Sequence, residues 1–150
     1  MLLLPAVLLQ LHLLPAAADT ATRYNVAFIL TDDQDLTLAS LDYMPKTRQL
    51  LGTVEFTNMF ATPPVCCPSR SSYLSGMYQH NTRCLANSVG TGCDGPAARV
   101  WEAQAMAVHL QKAGYHTGFW GKYLNAYGTP GAGRGLAVPP GWSEWGGLVG

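Results

Sequence analysis

The stretch "YNVAFILTDDQD", residues 24–35, constrains the fold of this chain more than any other. Val26 to Leu30 form a continuous apolar run, which then breaks into a cluster of acids. A short apolar run of this kind, bounded by a polar break, reads as a buried strand ending in a loop. In open α/β sheets the carboxyl ends of strands are where ligands bind. Asp32 and Asp33 stand at such an end, where two adjacent carboxylates can hold a hard cation and Gln34 can add an oxygen. Taken alone, the same pair serves as readily to cap a helix or solvate a loop.

The rest of the chain alternates in the same sense. "MPKTRQLLG" (44–52) has Pro45 at a plausible helix start and Gly52 at a stop. "VEFTNMFAT" (54–62) alternates as a strand does, and Pro63-Pro64 hold the chain extended after it. From Pro68 onward, "PSRSSYLSGMY" predicts a helix with Pro68 in its first position. Residues 81–98 are rich in Asn, Gly, Ser and Thr and read as a loop. "VWEAQAMAVHLQKAG" (100–114) places Trp101, Ala105, Val108 and Ala113 near one helical face, with Gly114 closing the helix. "YHTGFWGKYL" (115–124) begins as a strand, and the tail after it is crowded with Gly and Pro. The order β-α-β-α-loop-α-β points to α/β layering.

Nine basic residues balance nine acidic ones, which argues against a nucleic-acid binder. The first 18 residues, "MLLLPAVLLQLHLLPAAA", carry no charged side chain and end in three alanines. They read as a secretory signal cut after Ala18, although a basic leading segment is missing. The competing reading, a membrane anchor, needs about 20 apolar residues, and Pro5 and Pro15 interrupt this run. A secretory route permits disulfides, implies an extracellular or lysosomal destination and leaves no membrane attachment after cleavage. The chain stops at "WSEWGGLVG", which reads as an interruption within a longer protein.

Four cysteines are present, and two of them, Cys66 and Cys67, are adjacent. Neighbouring cysteines rarely bridge each other, because the small ring is strained. Three readings remain. One or both pair with Cys84 or Cys93. Alternatively they ligate a metal, without the usual spacing or a nearby His pair. Or one is a precursor, modified during secretion and used as a nucleophile. Cys84 and Cys93 are most simply a local disulfide across a small loop. His80 and His116 are more often structural or exposed than catalytic. Arg70 and Lys122, taken singly, are ordinary basic residues. Trp142 and Trp145 are spaced for packing.

"C-C-P-S-R-S-S-Y-L-S-G", from Cys66, resembles the first signature of the sulfatase family, with Ser75 where the family usually has Thr. "G-Y-H-T-G-F-W-G-K-Y-L" (114–124) resembles the second, with Lys122 as its sulfate-contacting lysine. Asp32-Asp33 resembles the family's calcium-binding pair. The resemblance implies that Cys66 is converted to formylglycine (3-oxoalanine) by a formylglycine-generating enzyme. It makes Cys66 and Arg70 catalytic with Lys122, and Asp32, Asp33 and residue 66 ligands of Ca2+. It implies an alkaline-phosphatase-like α/β fold, a mixed sheet sandwiched by helices, of which residues 19–150 are the N-terminal part. "TDDQD", "GKYLNAYG" and "VPPGWSEW" are similar to the branch that cleaves 6-O-sulfate from glucosamine in glycosaminoglycans. Leu124 and Asn125 follow that branch, where many arylsulfatases carry His in place of Leu124. Algal arylsulfatases, of broader specificity, are the near rival.

The chemistry is coherent with these residue types. A sulfate ester is anionic and its alkoxide leaves poorly, so hydrolysis needs cationic clamping and a positioned nucleophile. A hydrated aldehyde has two hydroxyls: one attacks sulfur and the other expels inorganic sulfate. A plain serine or cysteine would stay sulfated. A metal-dependent phosphatase or phosphodiesterase of the same superfamily usually has Ser or Thr as nucleophile and zinc ligands, against which the Cys-x-Pro-Ser-Arg frame argues. The family's second metal-binding pair and leaving-group acid are not located in this chain. A catalytically incomplete secreted piece with only a binding or structural role is the remaining alternative.

Overall fold

The computed structural model describes residues 23–51, 54–91, 93, 95–130 and 135–149. The proposed signal, residues 1–18, lies outside them. The chain divides after Thr31 into two compact units. In the first, residues 23–31 form no strand, and Val26, Phe28 and Ile29 are exposed. The strand expected at Val26–Leu30 is therefore not formed. An apolar run becomes a strand only where neighbours complete its ladder. Among the described residues the one sheet pairs two other segments. The strand expected over 54–62 is absent for the same reason: Phe56, Met59 and Phe60 are exposed in a run of turns and bends.

In the second unit short helices, joined by turns and irregular chain, outnumber strands among the described residues. A 3-10 turn, Ser40–Tyr43, leads into α1, Pro45–Leu51. Asp35 accepts the Leu38 N–H and the Ser40 hydroxyl, shaping the approach to that turn. Helix α2 runs from Cys66 to Ser75. It starts two residues before the position expected from Pro68. Proline is tolerated throughout the first turn, because no N–H there has an intrahelical partner. The first intrahelical bond is Ser69 N–H to the Val65 carbonyl, 2.9 Å. Cys67, Pro68, Arg70, Ser71 and Leu74 are buried on one helical stripe. The helix closes at Gly76, whose N–H donates to the Ser72 carbonyl.

Helix α3 is a single turn, Gln79–Thr82. The helix expected over 100–114 is two: α4, Gly95–Glu102, and α5, Met106–Lys112. The Gln104 and Ala105 N–H groups turn back onto the Trp101 and Glu102 carbonyls, and the axis breaks there. The break lets α4 bury Trp101 and Glu102 while α5 buries Ala107.

Strands β1, Gly118–Gly121, and β2, Glu144–Gly147, pair in parallel, with Phe119 opposite Trp145. The core joins α2, α4 and the segment after β1: Cys67, Leu74, Trp101, Tyr123, Leu124 and Tyr127. Phe119, Trp142 and Trp145 pack against it, with Phe119 stacked on Trp145 at 5.0 Å. Both tryptophans are thus packing residues. Cys84 and Cys93 form the disulfide expected across their loop. Among the described residues no helix is long and apolar enough to cross a membrane.

Candidate active site

Three segments of the second unit meet at the start of α2. The first is Asp32-Asp33. In extended backbone successive side chains point to opposite faces. Asp33 has φ 51°, a left-handed conformation that Asp tolerates, and the alternation is broken there. Oxygens of both carboxylates and the Cys66 sulfur then lie within 4.8 Å of one another. The Cys66 thiol faces an Asp33 oxygen at 4.0 Å.

The second segment is α2 itself. Cys66 occupies its first turn, half-buried, with its thiol free. Arg70, one turn on, is buried and reaches out of the core to the Asp32 carboxylate at 3.1 Å. Its other terminal nitrogen donates to the Lys122 carbonyl. The positive end of the helix dipole faces the same place.

The third segment follows β1. Gly121, at φ 106°, turns the chain off the strand as only glycine does readily. Lys122 then donates to the second Asp32 oxygen at 2.8 Å. One carboxylate thus holds two cations. The Lys122 ammonium holds the Asp32 carboxyl below its usual range, against partial burial and with help from Arg70. In return Asp32 pushes the Lys122 pKa up, and the neighbouring Cys66 adds to this.

The structure therefore brings together every residue proposed from sequence as catalytic or metal-binding: Asp32, Asp33, Cys66, Arg70 and Lys122. His80 and His116 are spent elsewhere. His80 stacks on Tyr78, and His116 pairs with Glu144 at 2.9 Å on the exposed surface.

Residues to which the sequence reading gave no part in the site support the cluster. Cys67 is fully buried; burial pushes its thiol pKa up, against the Asn125 N–H it accepts. Its own N–H donates to Asn87. Glu102 is buried and accepts the Tyr123 hydroxyl at 2.7 Å, anchoring the residue beside Lys122. No sequence signal marks these pairs, since each depends on segments far apart along the chain.

The donor set can be tested against a hard cation such as calcium, which takes oxygen ligands. The two carboxylates fit. The Cys66 sulfur does not, whereas an oxygen at that position would. Two carboxylates and two cations cancel in charge, so an added divalent cation would leave the cluster positive and suited to an anionic ester.

Comparisons with known proteins bear on the family of the chain. The family model described as Sulfatase matches residues 24–143. An "Extracellular sulfatase SULF-1 homolog" of Drosophila melanogaster is 47% identical over 130 residues, covering 85% of this chain and 11% of that protein. Human "N-acetylglucosamine-6-sulfatase" is 39% identical over 127 residues, 82% of this chain and 23% of that protein. An "Arylsulfatase" of Volvox carteri is 34% identical over 160 residues, 98% of this chain and 24% of that protein. The chain thus spans less than a quarter of the length of these relatives. No solved structure matches it at a significant level.

Proposed function

This chain belongs to the sulfatase family, and from that premise we propose that it forms the nucleophile side of a sulfuric ester hydrolase site. The observation that carries the proposal is the convergence of Asp32, Cys66, Arg70 and Lys122, residues up to 90 positions apart, on one point. Cys66 is the position converted to formylglycine by a formylglycine-generating enzyme in the secretory pathway. The hydrated aldehyde supplies an oxygen nucleophile where the thiol now stands. Arg70 is held by burial and by the Lys122 carbonyl, so its guanidinium presents a fixed fork to sulfuryl oxygens. Lys122 adds a point charge on a mobile stem. Asp32, Asp33 and the oxygen at position 66 would hold Ca2+, which when bound lowers the pKa of a ligated hydroxyl and offsets developing negative charge.

The substrate proposed is the 6-O-sulfate of glucosamine in a glycosaminoglycan, supported by the name of the human relative, N-acetylglucosamine-6-sulfatase. An arylsulfatase of broad specificity is the second reading, favoured by the algal match across nearly the whole chain. Residues 19–150 are proposed to be the N-terminal part of a longer alkaline-phosphatase-like domain, reached through a secretory signal and working in an extracellular or lysosomal setting. The test is turnover of 6-O-sulfated glucosamine against an aryl sulfate by the full-length protein made with the modifying enzyme. Activity that vanishes in Asp33→Ala and falls on calcium chelation supports the proposal. Activity that survives both removes the metal assignment, and no turnover of either ester removes the function.

A further inference from the structure

The cysteine pair has a second member for which the proposed chemistry has no use. Cys67 is fully buried and lies at a junction of three segments. Its sulfur accepts the Asn125 N–H at 3.0 Å. Its N–H donates to the Asn87 side-chain oxygen at 2.8 Å. Through its neighbour Cys66 it adjoins the acidic pair. We propose that Cys67 is a positioning residue: its sulfur, by accepting the Asn125 N–H, sets the segment carrying Lys122 against the helix carrying Cys66 and Arg70. This inference rests on the sulfatase reading of the site.

Residues 122–127 lie beyond β1, irregular at 122–123 and then a bend and a turn, so β pairing does not fix them. A backbone N–H removed from water must find an acceptor. For Asn125 that acceptor is the Cys67 sulfur. A second polar tie to α2 is the Arg70 bond to the Lys122 carbonyl. Two ties three residues apart fix both the distance and the direction of the Lys122 backbone. Arg70 is also the group proposed to present its fork to a substrate anion. The sulfur tie holds Lys122 in place independently of that contact. The two cysteines thus divide their work: Cys66 presents the reacting atom and Cys67 places the charge opposite it.

Position 67 is close-packed, so packing alone must be separated from acceptance. Alanine and serine both under-fill the site and differ by the hydroxyl: alanine accepts nothing, and serine keeps an acceptor. In the full-length protein made with the modifying enzyme, kcat and KM on an aryl sulfate are measured for wild type, Cys67→Ser and Cys67→Ala. Amide exchange of the peptide spanning 122–127 is followed in the same samples. A displaced catalytic group costs up to about 10²-fold. Cys67→Ala is expected to lose roughly that in kcat with little change in KM, and to lose protection in 122–127. Cys67→Ser is expected to recover part of both. Lost packing alone leaves the two variants alike, or alanine above serine because a hydroxyl is costlier to bury, and either outcome overturns the proposal. So does protection lost in Cys67→Ala with kcat unchanged. If Cys67→Ala does not fold, Cys67→Thr against Cys67→Val, matched in shape and differing in the hydroxyl, decides by the same order. Wild-type protein that turns over no sulfate ester would refute the function; the exchange order alone would then decide whether Cys67 holds the segment.

Discussion

Replacing Asp32 with Asn tests the charge cluster directly. Asp32 is bound to Lys122 at 2.8 Å and to Arg70 at 3.1 Å. The two pairs differ in setting. The Lys122 and Asp32 side chains are 28% and 43% exposed, so water screens their attraction. Such pairs are worth about 0.2–1 kcal/mol. The Arg70 side chain is only 6% exposed. Removing one partner of a fully buried pair costs about 3–5 kcal/mol, but the wet Asp32 end and the Lys122 carbonyl reduce this. Together the two losses put Asp32→Asn at about 1–2 kcal/mol of destabilisation. A double-mutant cycle with Lys122→Met should isolate about 0.5–1 kcal/mol of coupling. The assay is unfolding of wild type, both single variants and the double variant, with calcium chelated so that only the ion pairs are read. The sign with pH follows from the lowered Asp32 pKa. The contribution is complete above the unfolded carboxyl value of about 3.9 and is lost as pH falls through the lower folded value. The gap between wild type and Asp32→Asn should therefore close in acid. Zero coupling at neutral pH, or a gap unchanged in strong acid, would refute the reasoning.

Gly141→Ala is expected to cost about 2–4 kcal/mol, read as a lowered denaturation midpoint. Its backbone has φ 92°, and a Cβ there would sit 2.4 Å from the Val108 nitrogen. Cys84→Ser opens a loop whose ends are nine residues apart and should cost about 2–3 kcal/mol, measured by denaturant midpoint against a non-reducing peptide map. Residues 19–150 expressed alone should melt without a cooperative transition and leave sulfate esters intact. Val26, Ile29, Phe56 and Phe60 are exposed, and a missing general acid is worth about 10²–10⁴-fold. Hydrolysis by that piece, with a sharp melt, would overturn the division of the site.

Local features were legible in the sequence where the backbone itself enforces them. Pro45 opens α1, whereas the helix read from Pro68 through Tyr78 ends at Gly76, which the sequence reading had carried it past. The start of α2 was misplaced because proline marks a first turn without saying which position in it. Strands fared worse at 24–30 and 54–62, since a strand exists only with a distant partner. The apolar period of 100–114 ran on through a break that the turn at Gln104 and Ala105 imposes. At the site, Asp32 and Lys122 are 90 residues apart, and no local pattern joins them. They were found because motifs of a known family lie at both positions. Cys67, Tyr123 and Asn125 lie within such motifs, but the motifs do not say that Cys67 meets Asn125 or that Glu102 meets Tyr123, and only the folded chain shows these pairs.

Cys66, and not Cys67, is the residue proposed to become the nucleophile. Cys66 is half-buried beside Asp33, whereas Cys67 is sealed in the core. Mass spectrometry of the peptide containing both, from full-length protein co-expressed with a formylglycine-generating enzyme, measures this directly. An aldehyde at position 66, with its sulfur gone and the thiol at 67 intact, is the predicted result. An unmodified thiol at 66, under conditions that convert a control sulfatase, would contradict the account.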